Sequence, residues 1–258
     1  MKVETMNRRL KVFVEERLQK LGYVLLPNWR VGTYALARHL GTLFNRLEID
    51  CVVDVGANTG GYATFLRRDV KYDGLIVSVE PTEGPWRTLC GRAAKDPNWL
   101  VRRSALGAAP GRMPINIAGS SEFSSFLCPN DAAVPQLAQA NATISTEMVE
   151  VETFADLLSD LRLKHSLRNV YLKMDTQGYD LEVLKGCGDA IQHVAALQSE
   201  MSVLPIYVDM PSYQDVLSYT NNMGFLISYL SPVTVDAKLR MVEFDCVMVR
   251  ETLSSSLG

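Results

Sequence analysis

The sequence predicts an α/β fold in which a mostly parallel β-sheet is covered by helices on both faces and ends in an antiparallel hairpin. Two observations predict it. From residue 50 onward, short and continuously apolar runs alternate with stretches of helical periodicity, which is typical of parallel strands buried on both faces. The last two apolar runs follow each other without an intervening helix, so we expect them to pair antiparallel at the C-terminal edge of the sheet.

The individual elements follow from the length and the period of each run. Apolar runs predict strands at 51–55, 75–79, 99–106, 170–175, 194–200, 225–230 and 243–249. Helical periodicity predicts helices at 60–68, 83–95, 153–162, 179–186 and 212–222. Residues 107–150 break the alternation and contain only two strand-like pieces, at 113–118 and 147–151. An excursion of this length from the sheet is expected to be functional or mobile.

The N-terminal region is predicted to be helical and separate from the sheet. Apolar side chains recur at helical spacing over 4–21, with charges between them, and a second helical stretch covers 33–47. We therefore divide the chain into a helical extension, residues 1–48, and an α/β domain, residues 49–252. The apolar face of the first helix is expected to pack on that domain; a lid over a ligand or a contact within a homodimer is the alternative.

Composition and charge argue against several classes of protein. The chain has 258 residues, with 26 basic and 29 acidic side chains and a net charge of −3, so we expect no nucleic-acid partner. The five cysteines form no CxxC pair, which argues against zinc and against a disulfide framework. No apolar stretch has the length of a membrane span or the character of a signal peptide. We expect a reduced, cytoplasmic protein.

The strongest local signal is VVDVGANTGGYATFL, residues 52–66. A strand ends at Asp54, and Gly56 and Gly60 flank a tight turn into a helix, whose first N–H groups are free to meet a ligand. A dinucleotide fingerprint needs glycine where this chain has Asn58, because the backbone there approaches a diphosphate. Asp54 instead suits a cofactor with a cationic amino group, such as the methionine part of S-adenosylmethionine. A purely structural turn is the alternative.

A second acid, Glu80, ends the strand that we expect to lie beside the glycine loop. A carboxylate in this place accepts hydrogen bonds from both ribose hydroxyls of an adenosine. Glu80 therefore indicates a cofactor that contains adenosine, without distinguishing NAD from S-adenosylmethionine. An ordinary surface glutamate is the alternative, but the spacing of Glu80 from the glycine loop favours the cofactor.

Several motifs, in order, make the sequence similar to the FkbM-type methyltransferases. Between about residues 50 and 250 they are VVDVGANTGGYATFL, VSVEPTEGPWRTL, SALGAAPGRMPINIA with SSEFSSF, VYLKMDTQGYDLEVLKGC, LQSEMSVLPIY and EFDCVMVRE. The resemblance implies a Rossmann-like class I methyltransferase fold, S-adenosylmethionine as the cofactor, and methylation of hydroxyl groups in secondary metabolites or sugars. A parallel sheet that ends in a hairpin is also the architecture of methyltransferases rather than dehydrogenases.

Carried over position by position, the resemblance assigns the glycine loop to the cofactor and Glu80 to its ribose. Asp175, Gly178 and Tyr179 match the KxDxxGxx segment of the family. Gln177 stands where many members carry glutamate, so any role of a carboxylate at this position is absent here. The predicted cofactor-binding residues are Asp54, Gly56, Asn58, Gly60, Tyr62, Glu80, Pro81, Ser104, Ala105 and Asp175.

Asp175 and Glu200 are the predicted catalytic residues, because each stands at the carboxyl end of a strand, where ligands bind in open α/β sheets. Methyl transfer to a hydroxyl needs a group that takes its proton, and the two acids would share one rim of the sheet. Among the histidines only His39 could reach that rim, since the other two precede strands. Asp175 as the N-cap of the following helix is the alternative. A divalent ion held by the acids, which would lower the pKa of the acceptor hydroxyl, is a further alternative. No tight acid cluster exists beyond Asp175, Glu200 and Asp209, so no metal ligands are assigned.

Two segments, 120–126 and 204–211, are expected to overhang the carboxyl edge and line an acceptor pocket. The predicted acceptor contacts are Ser124, Ser125, Gln177 and Tyr207. The expected acceptor is a hydroxyl of a small molecule, sugar or glycan. No Asn/Asp-Pro-Pro-aromatic motif follows the fourth strand, which argues against methylation of nucleic-acid bases. The alternatives are an NAD-dependent Rossmann oxidoreductase and a non-catalytic module that binds the cofactor only.

Overall fold

The computed structural model describes residues 17–251 with the exception of residue 19. The strands are β1 (Cys51–Val55), β2 (Leu75–Val79), β3 (Trp99–Arg102), β4 (Ala105–Leu106), β5 (Gly111–Ala118), β6 (Thr143–Glu152), β7 (Val170–Met174), β8 (Val194–Ser202), β9 (Phe225–Val235) and β10 (Met241–Arg250). The α-helices are α1 (Val31–Arg46), α2 (Gly61–Phe65), α3 (Glu83–Ala93), α4 (Ala138–Asn141), α5 (Phe154–Arg162), α6 (Asp180–Lys185) and α7 (Tyr213–Asn222). A π-helical turn, Leu66–Val70, continues α2, and short 3-10 turns are Asn28–Arg30, Ser121–Phe123, Pro135–Leu137 and Gly188–His193.

Seven strands form the main sheet, in the order β3-β2-β1-β7-β8-β10-β9. The first five of these run parallel, and β10 is antiparallel to both of its neighbours. The predicted parallel sheet with an antiparallel C-terminal hairpin is therefore confirmed. Every residue of β1 and β7 is buried, as expected for central strands that are covered on both faces.

Helices cover both faces of this sheet. One face packs its apolar side chains against α5, α6 and α7, and the other face packs against α1, α2 and α3. Tyr171 and Leu172, which are neighbours on β7, illustrate the alternation, because each is fully buried in a different cluster. The strand order reverses between β1 and β7, and a ligand crevice forms at such a point in open α/β sheets.

The chain between β3 and α5 forms a second, three-stranded sheet in the order β4-β6-β5. The prediction of one strand at 99–106 is wrong, because the chain leaves the main sheet after Arg102 and joins the second sheet at Ala105. An ion pair between Arg102 and Glu152 ties the departing segment to β6. The two strand-like pieces expected within the excursion correspond to β5 and β6, so the excursion is ordered around its own small sheet.

Several element boundaries differ from the expectation by a few residues, among them the ends of β8 and β9 and the start of α6. β8 continues to Ser202 and β9 to Val235, because each pairs with β10 up to that residue. The helix predicted at 179–186 begins at Asp180, with Tyr179 as its N-cap residue. Asp175 lies outside this helix start, so the alternative that it caps the helix is excluded.

The N-terminal region is described from residue 17. Helix α1 corresponds to the helix predicted at 33–47, and it buries Leu40 and Phe44 against the main sheet. Of the helix predicted at 4–21, residues 17, 18 and 20 are helical, and the greater part lies outside the described residues. Within residues 17–18 and 20–251, no helix is long and apolar enough to cross a membrane.

Candidate functional site

A cavity of about 580 Å³ opens at the carboxyl edge of the parallel strands. Its size is in the range of sites that enclose a cofactor or another small ligand. The predicted site residues that line it are Gly56, Asn58, Tyr62, Glu80, Pro81, Ala105, Ser124, Asp175, Gln177 and Glu200. The predicted site residues outside its surface are Asp54, Gly60, Ser104, Ser125 and Tyr207. The topology thus brings most of the candidate residues to one place.

The loop after β1 packs directly on the loop after β7. Gly56 has a φ of +76°, and a Cβ atom added there would lie 1.9 Å from the backbone oxygen of Asp175. Such a position accepts only glycine, because of both the left-handed backbone and the close approach. This approach brings Asp175 to the same cavity wall as the glycine loop.

Asn58 holds the position that a dinucleotide fingerprint reserves for glycine. Its backbone is left-handed, with a φ of 46°, which asparagine tolerates better than most residues. The Asn58 N–H donates to Glu80 Oε2 at 2.8 Å, and the Asn58 side-chain oxygen accepts from the Ser121 hydroxyl at 3.1 Å. Asn58 therefore connects the glycine loop with the end of β2 and with the excursion above the cavity.

Glu80 follows β2 and is 5% exposed. Its Oε1 accepts from the N–H and the hydroxyl of Thr82, and its Oε2 accepts from Asn58. Burial raises the pKa of Glu80. A carboxylate has about four acceptor positions, and three are used within the protein. Glu80 can therefore accept a hydrogen bond from one further donor in the cavity. The sequence analysis expected it to accept from two ribose hydroxyls, and the structure leaves room for one.

Lys173 is a buried cation between two aspartates. Its Nζ lies 3.4 Å from Asp54 Oδ1, 3.0 Å from Asp175 Oδ2 and 5.1 Å from the centre of the Tyr62 ring. Burial opposes its charge, but the carboxylates of Asp175 and Asp54 outweigh this and raise the pKa of Lys173. Asp54 is fully buried, whereas Lys173 lines the cavity. The sequence analysis expected Asp54 to contact a cationic group of the cofactor. In the structure the cation that contacts Asp54 is Lys173.

Asp175 and Glu200, the predicted catalytic pair, are joined by Gln177. The Gln177 side-chain nitrogen donates to Asp175 Oδ1 at 3.0 Å and to Glu200 Oε2 at 2.9 Å. Burial alone would favour the neutral form of Asp175, but Lys173 and these hydrogen bonds outweigh it and lower its pKa. Burial and the charge of Asp175 raise the pKa of Glu200 well above its ordinary value. The two carboxyls therefore differ in acidity, as an acid and a base at one site do.

Further polar side chains line the cavity, and three of those that the sequence analysis missed come from β8 and β10. Glu243 and Asp245 come from β10, where Asp245 stands opposite Glu200 in the antiparallel register. Gln198 on β8 accepts from the Tyr62 hydroxyl at 2.8 Å. Burial raises the pKa of Glu243 to about 7 and that of Asp245 to about 6. The sequence signal that could have found Glu243 and Asp245 is EFDC, residues 243–246, in which the two acids alternate with apolar residues and so share one face of a strand.

The two segments expected to overhang the site reach it in different ways. Residues Ser121–Phe123 and Ser124 line the cavity, whereas Tyr207 lies beside it. The Tyr207 hydroxyl is 2.8 Å from both the Phe123 carbonyl oxygen and Gln177 Oε1. The Ser125 hydroxyl donates to the Gln177 carbonyl oxygen at 2.7 Å. Segment 204–211 therefore supports the site through Tyr207 instead of lining the pocket.

The three histidines of the chain all belong to the described residues, and none of them lines this cavity. His39 in α1 lies 2.9 Å from the Ser228 hydroxyl and stacks on the Tyr229 ring. His165 and His193 precede β7 and β8, as the sequence indicated. Among the residues that the structure describes, no three His, Cys, Asp or Glu side chains are grouped so that they could hold a metal ion. Carboxylates are therefore the proton-accepting side chains at the cavity wall.

The sheet order, the antiparallel edge hairpin and the cavity beside a glycine loop define a Rossmann-like protein of the class I methyltransferase type. The family model described as methyltransferase FkbM domain matches residues 54–227. The chain belongs to the FkbM methyltransferase family. No curated protein matches the chain.

Three solved structures are among those to which the chain is similar. A methyltransferase FkbM from Methylobacillus flagellatus KT shares 18% identity with a TM-score of 0.47, covering 78% of this chain and 44% of that one. The magnesium protoporphyrin IX methyltransferase of Synechocystis PCC 6803, with bound SAM, shares 11% identity with a TM-score of 0.45, covering 96% and 100%. An O-methyltransferase from Bacillus cereus, in complex with SAH, shares 11% identity with a TM-score of 0.43, covering 96% and 93%. The chain spans less than half the length of the Methylobacillus protein.

Proposed function

We propose that this protein transfers the methyl group of S-adenosylmethionine to a hydroxyl of a small molecule, sugar or glycan. The observation that supports it is the Asp175 carboxylate, which lines the cavity where the glycine loop meets the loop after β7. A carboxylate in this place can accept the proton of an acceptor hydroxyl. The loop after β7 reads DTQG and carries no Asn/Asp-Pro-Pro-aromatic motif, which favours a hydroxyl over an amine.

The residues around the glycine loop fit the cofactor. Gly56 lets the backbone turn sharply at the cavity wall, and Glu80 keeps one acceptor position for a ribose hydroxyl. When bound, S-adenosylmethionine supplies a methyl group that its positively charged sulfur activates. A cationic ligand suits a wall with more acids than bases, and the acids there are Glu80, Glu122, Asp175, Glu200, Glu243 and Asp245, against Arg68 and Lys173.

On the acceptor side, we assign Asp175 two roles, orientation and proton transfer. A hydroxyl that donates to the Asp175 carboxylate directs an oxygen lone pair toward the methyl carbon, in line with the carbon–sulfur bond that breaks. As the new carbon–oxygen bond forms, the hydroxyl proton passes to Asp175. Lys173, 3.0 Å away, keeps Asp175 ionised before this step. Ser124 at the cavity wall is the proposed further contact to the acceptor.

The wider setting of the proposal follows from charge and cysteines. A net charge of −3 disfavours a nucleic-acid partner, so the acceptor is proposed to be a small molecule or sugar. The five cysteines are free thiols, which fits a reducing cytoplasm. We retain the division into a helical extension, 1–48, and a catalytic domain, 49–252, and a homodimer stays a proposal.

Cofactor binding and turnover test this function together. Calorimetry with S-adenosylhomocysteine is expected to show one site per chain, and NADH is expected not to bind, because position 58 lacks the glycine that a diphosphate needs. Label from S-adenosylmethionine should reach hydroxylated acceptors in a panel of sugars, small alcohols and amines. Label on amines alone contradicts the hydroxyl assignment. NADH binding indicates an oxidoreductase, and cofactor binding without any transfer indicates a non-catalytic module.

Replacement of Glu80 by alanine is expected to weaken cofactor binding about tenfold to a hundredfold. One hydrogen bond to a charged group contributes about 1.5–3 kcal/mol, and about 1.4 kcal/mol corresponds to tenfold in affinity. Calorimetry with S-adenosylhomocysteine measures the loss. The matched control is Glu83→Ala at the start of α3, because the Glu83 side chain is 46% exposed and does not line the cavity. Unchanged affinity with a lower melting temperature would show that Glu80 only holds Thr82 and Asn58.

A further inference from the structure

We propose that Gln177 is a positioning residue that clamps Asp175 and Glu200 together, so that the pair holds one proton, on Glu200, and one negative charge, on Asp175. The inference rests on the proposed role of Asp175 in methyl transfer, because an ionised Asp175 is the form that accepts a proton. It differs from the sequence-based expectation that Gln177 contacts the acceptor. Its test does not require turnover, so its failure and the failure of the proposed function can be told apart.

Both N–H donors of the Gln177 side-chain amide are used by protein groups. One N–H donates to Asp175 Oδ1 at 3.0 Å and the other to Glu200 Oε2 at 2.9 Å. The amide oxygen lies 2.8 Å from the Tyr207 hydroxyl, whose single hydrogen it shares with the Phe123 carbonyl oxygen. Because an amide nitrogen has two hydrogens, both donors are directed at the two carboxyls and none is left for an acceptor molecule. Gln177 lines the cavity, but it acts on the acids rather than on the ligand.

The backbone of Gln177 is held in place as firmly as its side chain. Its φ is 54°, a left-handed conformation that is uncommon for a residue other than glycine. The Ser125 hydroxyl donates to its carbonyl oxygen at 2.7 Å, and the next residue, Gly178, is also left-handed with a φ of 88°. Uncommon backbone conformations of this kind persist where the surroundings over-determine them, which occurs at functional sites. The turn aims the amide between the two acids.

The charges around the pair place the proton on Glu200. Lys173 forms ion pairs with Asp175 and with Asp54. Among the described residues, no ion pair of this cluster involves Glu200. Glu200 faces Asp175 on one side and the two acids of β10 on the other. The titratable groups that face the pair are Asp54 on β1, Tyr62 on α2, Lys173 on β7, Asp180 on α6, Tyr207 after β8, and Glu243 and Asp245 on β10.

The directions of the pKa changes agree with this placement. Burial favours the neutral form of both acids, but Lys173, the Gln177 N–H and the hydrogen bond with Glu200 outweigh it at Asp175 and lower that pKa. At Glu200, burial, the neighbouring negative charges and the hydrogen bond with Asp175 act together, and they raise its pKa well above the ordinary value. An amide at position 177 adds donors without charge, whereas a carboxyl there would be a third acid in contact with the pair. Gln177 therefore favours the ionised form of Asp175.

Carbon-13 NMR of protein labelled at the carboxyl carbons of Asp and Glu tests the inference, with Asp175→Asn and Glu200→Gln for assignment. In the wild type, the Glu200 carboxyl should be protonated at neutral pH and the Asp175 carboxyl ionised. In Gln177→Met, the Asp175 titration midpoint should rise by about 1–2 pH units, because an N–H donor to a charged group is lost. The matched control is Gln136→Met, an exposed glutamine outside the cavity, which should leave both midpoints in place.

Gln177→Asn provides the same test if methionine at this turn prevents folding. Asparagine tolerates the left-handed backbone, but it is too short to reach both acids. In Gln177→Glu, a third carboxyl should raise the midpoints of the cluster further. An ionised Glu200 at neutral pH in the wild type overturns the inference. So does a Gln177 variant that loses thermal stability while the Asp175 midpoint stays where it was, since that result would make Gln177 merely structural.

Discussion

Replacement of Lys173 by methionine should destabilise the folded protein by about 3–5 kcal/mol, the usual cost of removing one partner from a buried ion pair. Lys173 is 4% exposed and Asp54 is fully buried, so the variant leaves a carboxyl in the core without its cation. Methionine keeps most of the length and volume of the lysine stem, which limits the effect of a cavity. Urea denaturation at neutral pH measures the free energy of unfolding.

The defect of Lys173→Met should depend on pH. Without the ammonium group, burial raises the folded-state pKa of Asp54 further above its unfolded value, which is about 4. An acid with a raised folded-state pKa binds more protons when folded, so its stabilising contribution is present at low pH and is lost as the pH rises above the unfolded value. The difference in unfolding free energy between variant and wild type should therefore widen from about pH 4 upward.

Two controls separate the ion pair from the loss of a lysine in general. Lys164→Met changes an exposed lysine after α5 and should alter stability by less than about 0.5 kcal/mol. Asp54→Asn combined with Lys173→Met removes both charges and should recover part of the loss, because the buried carboxylate is gone. A Lys173→Met protein as stable as the wild type would show that the Lys173–Asp54 contact contributes nothing to the fold.

Much of the fold could be predicted because its signals are local. β1 and β7 are continuous apolar runs, as strands buried on both faces require, and the missing helix between the last two strands predicts their antiparallel pairing. The second sheet could not be predicted in the same way. Ala105 and Leu106 continue the apolar run of β3 in sequence, but they belong to another sheet because they pair with Val151 and Glu152 of β6, which lie far along the chain.

The site could be predicted where it depends on the ends of strands. Asp175 and Glu200 follow from the parallel topology, because the carboxyl ends of adjacent strands meet at one edge. Asp54 shows where such reasoning stops. In the parallel register Asp54 pairs with Lys173 on β7, so the cation that meets it comes from the protein. A cross-strand pair of this kind depends on the order and the register of the strands, and neither can be read from the residues of a single strand.

Replacement of Asp175 by asparagine should reduce methyl transfer about 10²–10⁴-fold, the usual loss when a general base is removed. Affinity for S-adenosylhomocysteine should stay within a few-fold, because the backbone oxygen that packs on Gly56 is unchanged. The amide also keeps an oxygen acceptor for the Gln177 N–H. Transfer of labelled methyl groups to an identified acceptor, together with calorimetry, measures both effects.

The structure removes one competing explanation for that loss. Asp175 does not cap α6, because the helix begins at Asp180 with Tyr179 as its N-cap residue, so a weakened helix start would not account for lost turnover. Lys173 loses one carboxylate in the variant but keeps Asp54 at 3.4 Å, so the fold is expected to persist. Asp189→Asn is the matched control, because Asp189 is an exposed aspartate in the turn that precedes β8.

The pattern of outcomes then assigns the base. If Asp175→Asn keeps near-normal turnover, Asp175 only orients the acceptor, and the proton must pass to a neighbouring group at the same wall. Glu243 is then the first candidate, since burial raises its pKa to about 7, close to the value at which a general base works best at neutral pH. Glu243→Gln would in that case abolish turnover where Glu200→Gln spares it, because Glu200 carries a proton and cannot take another. If Asp175→Asn abolishes turnover with the cofactor still bound, the carboxylate itself accepts the proton.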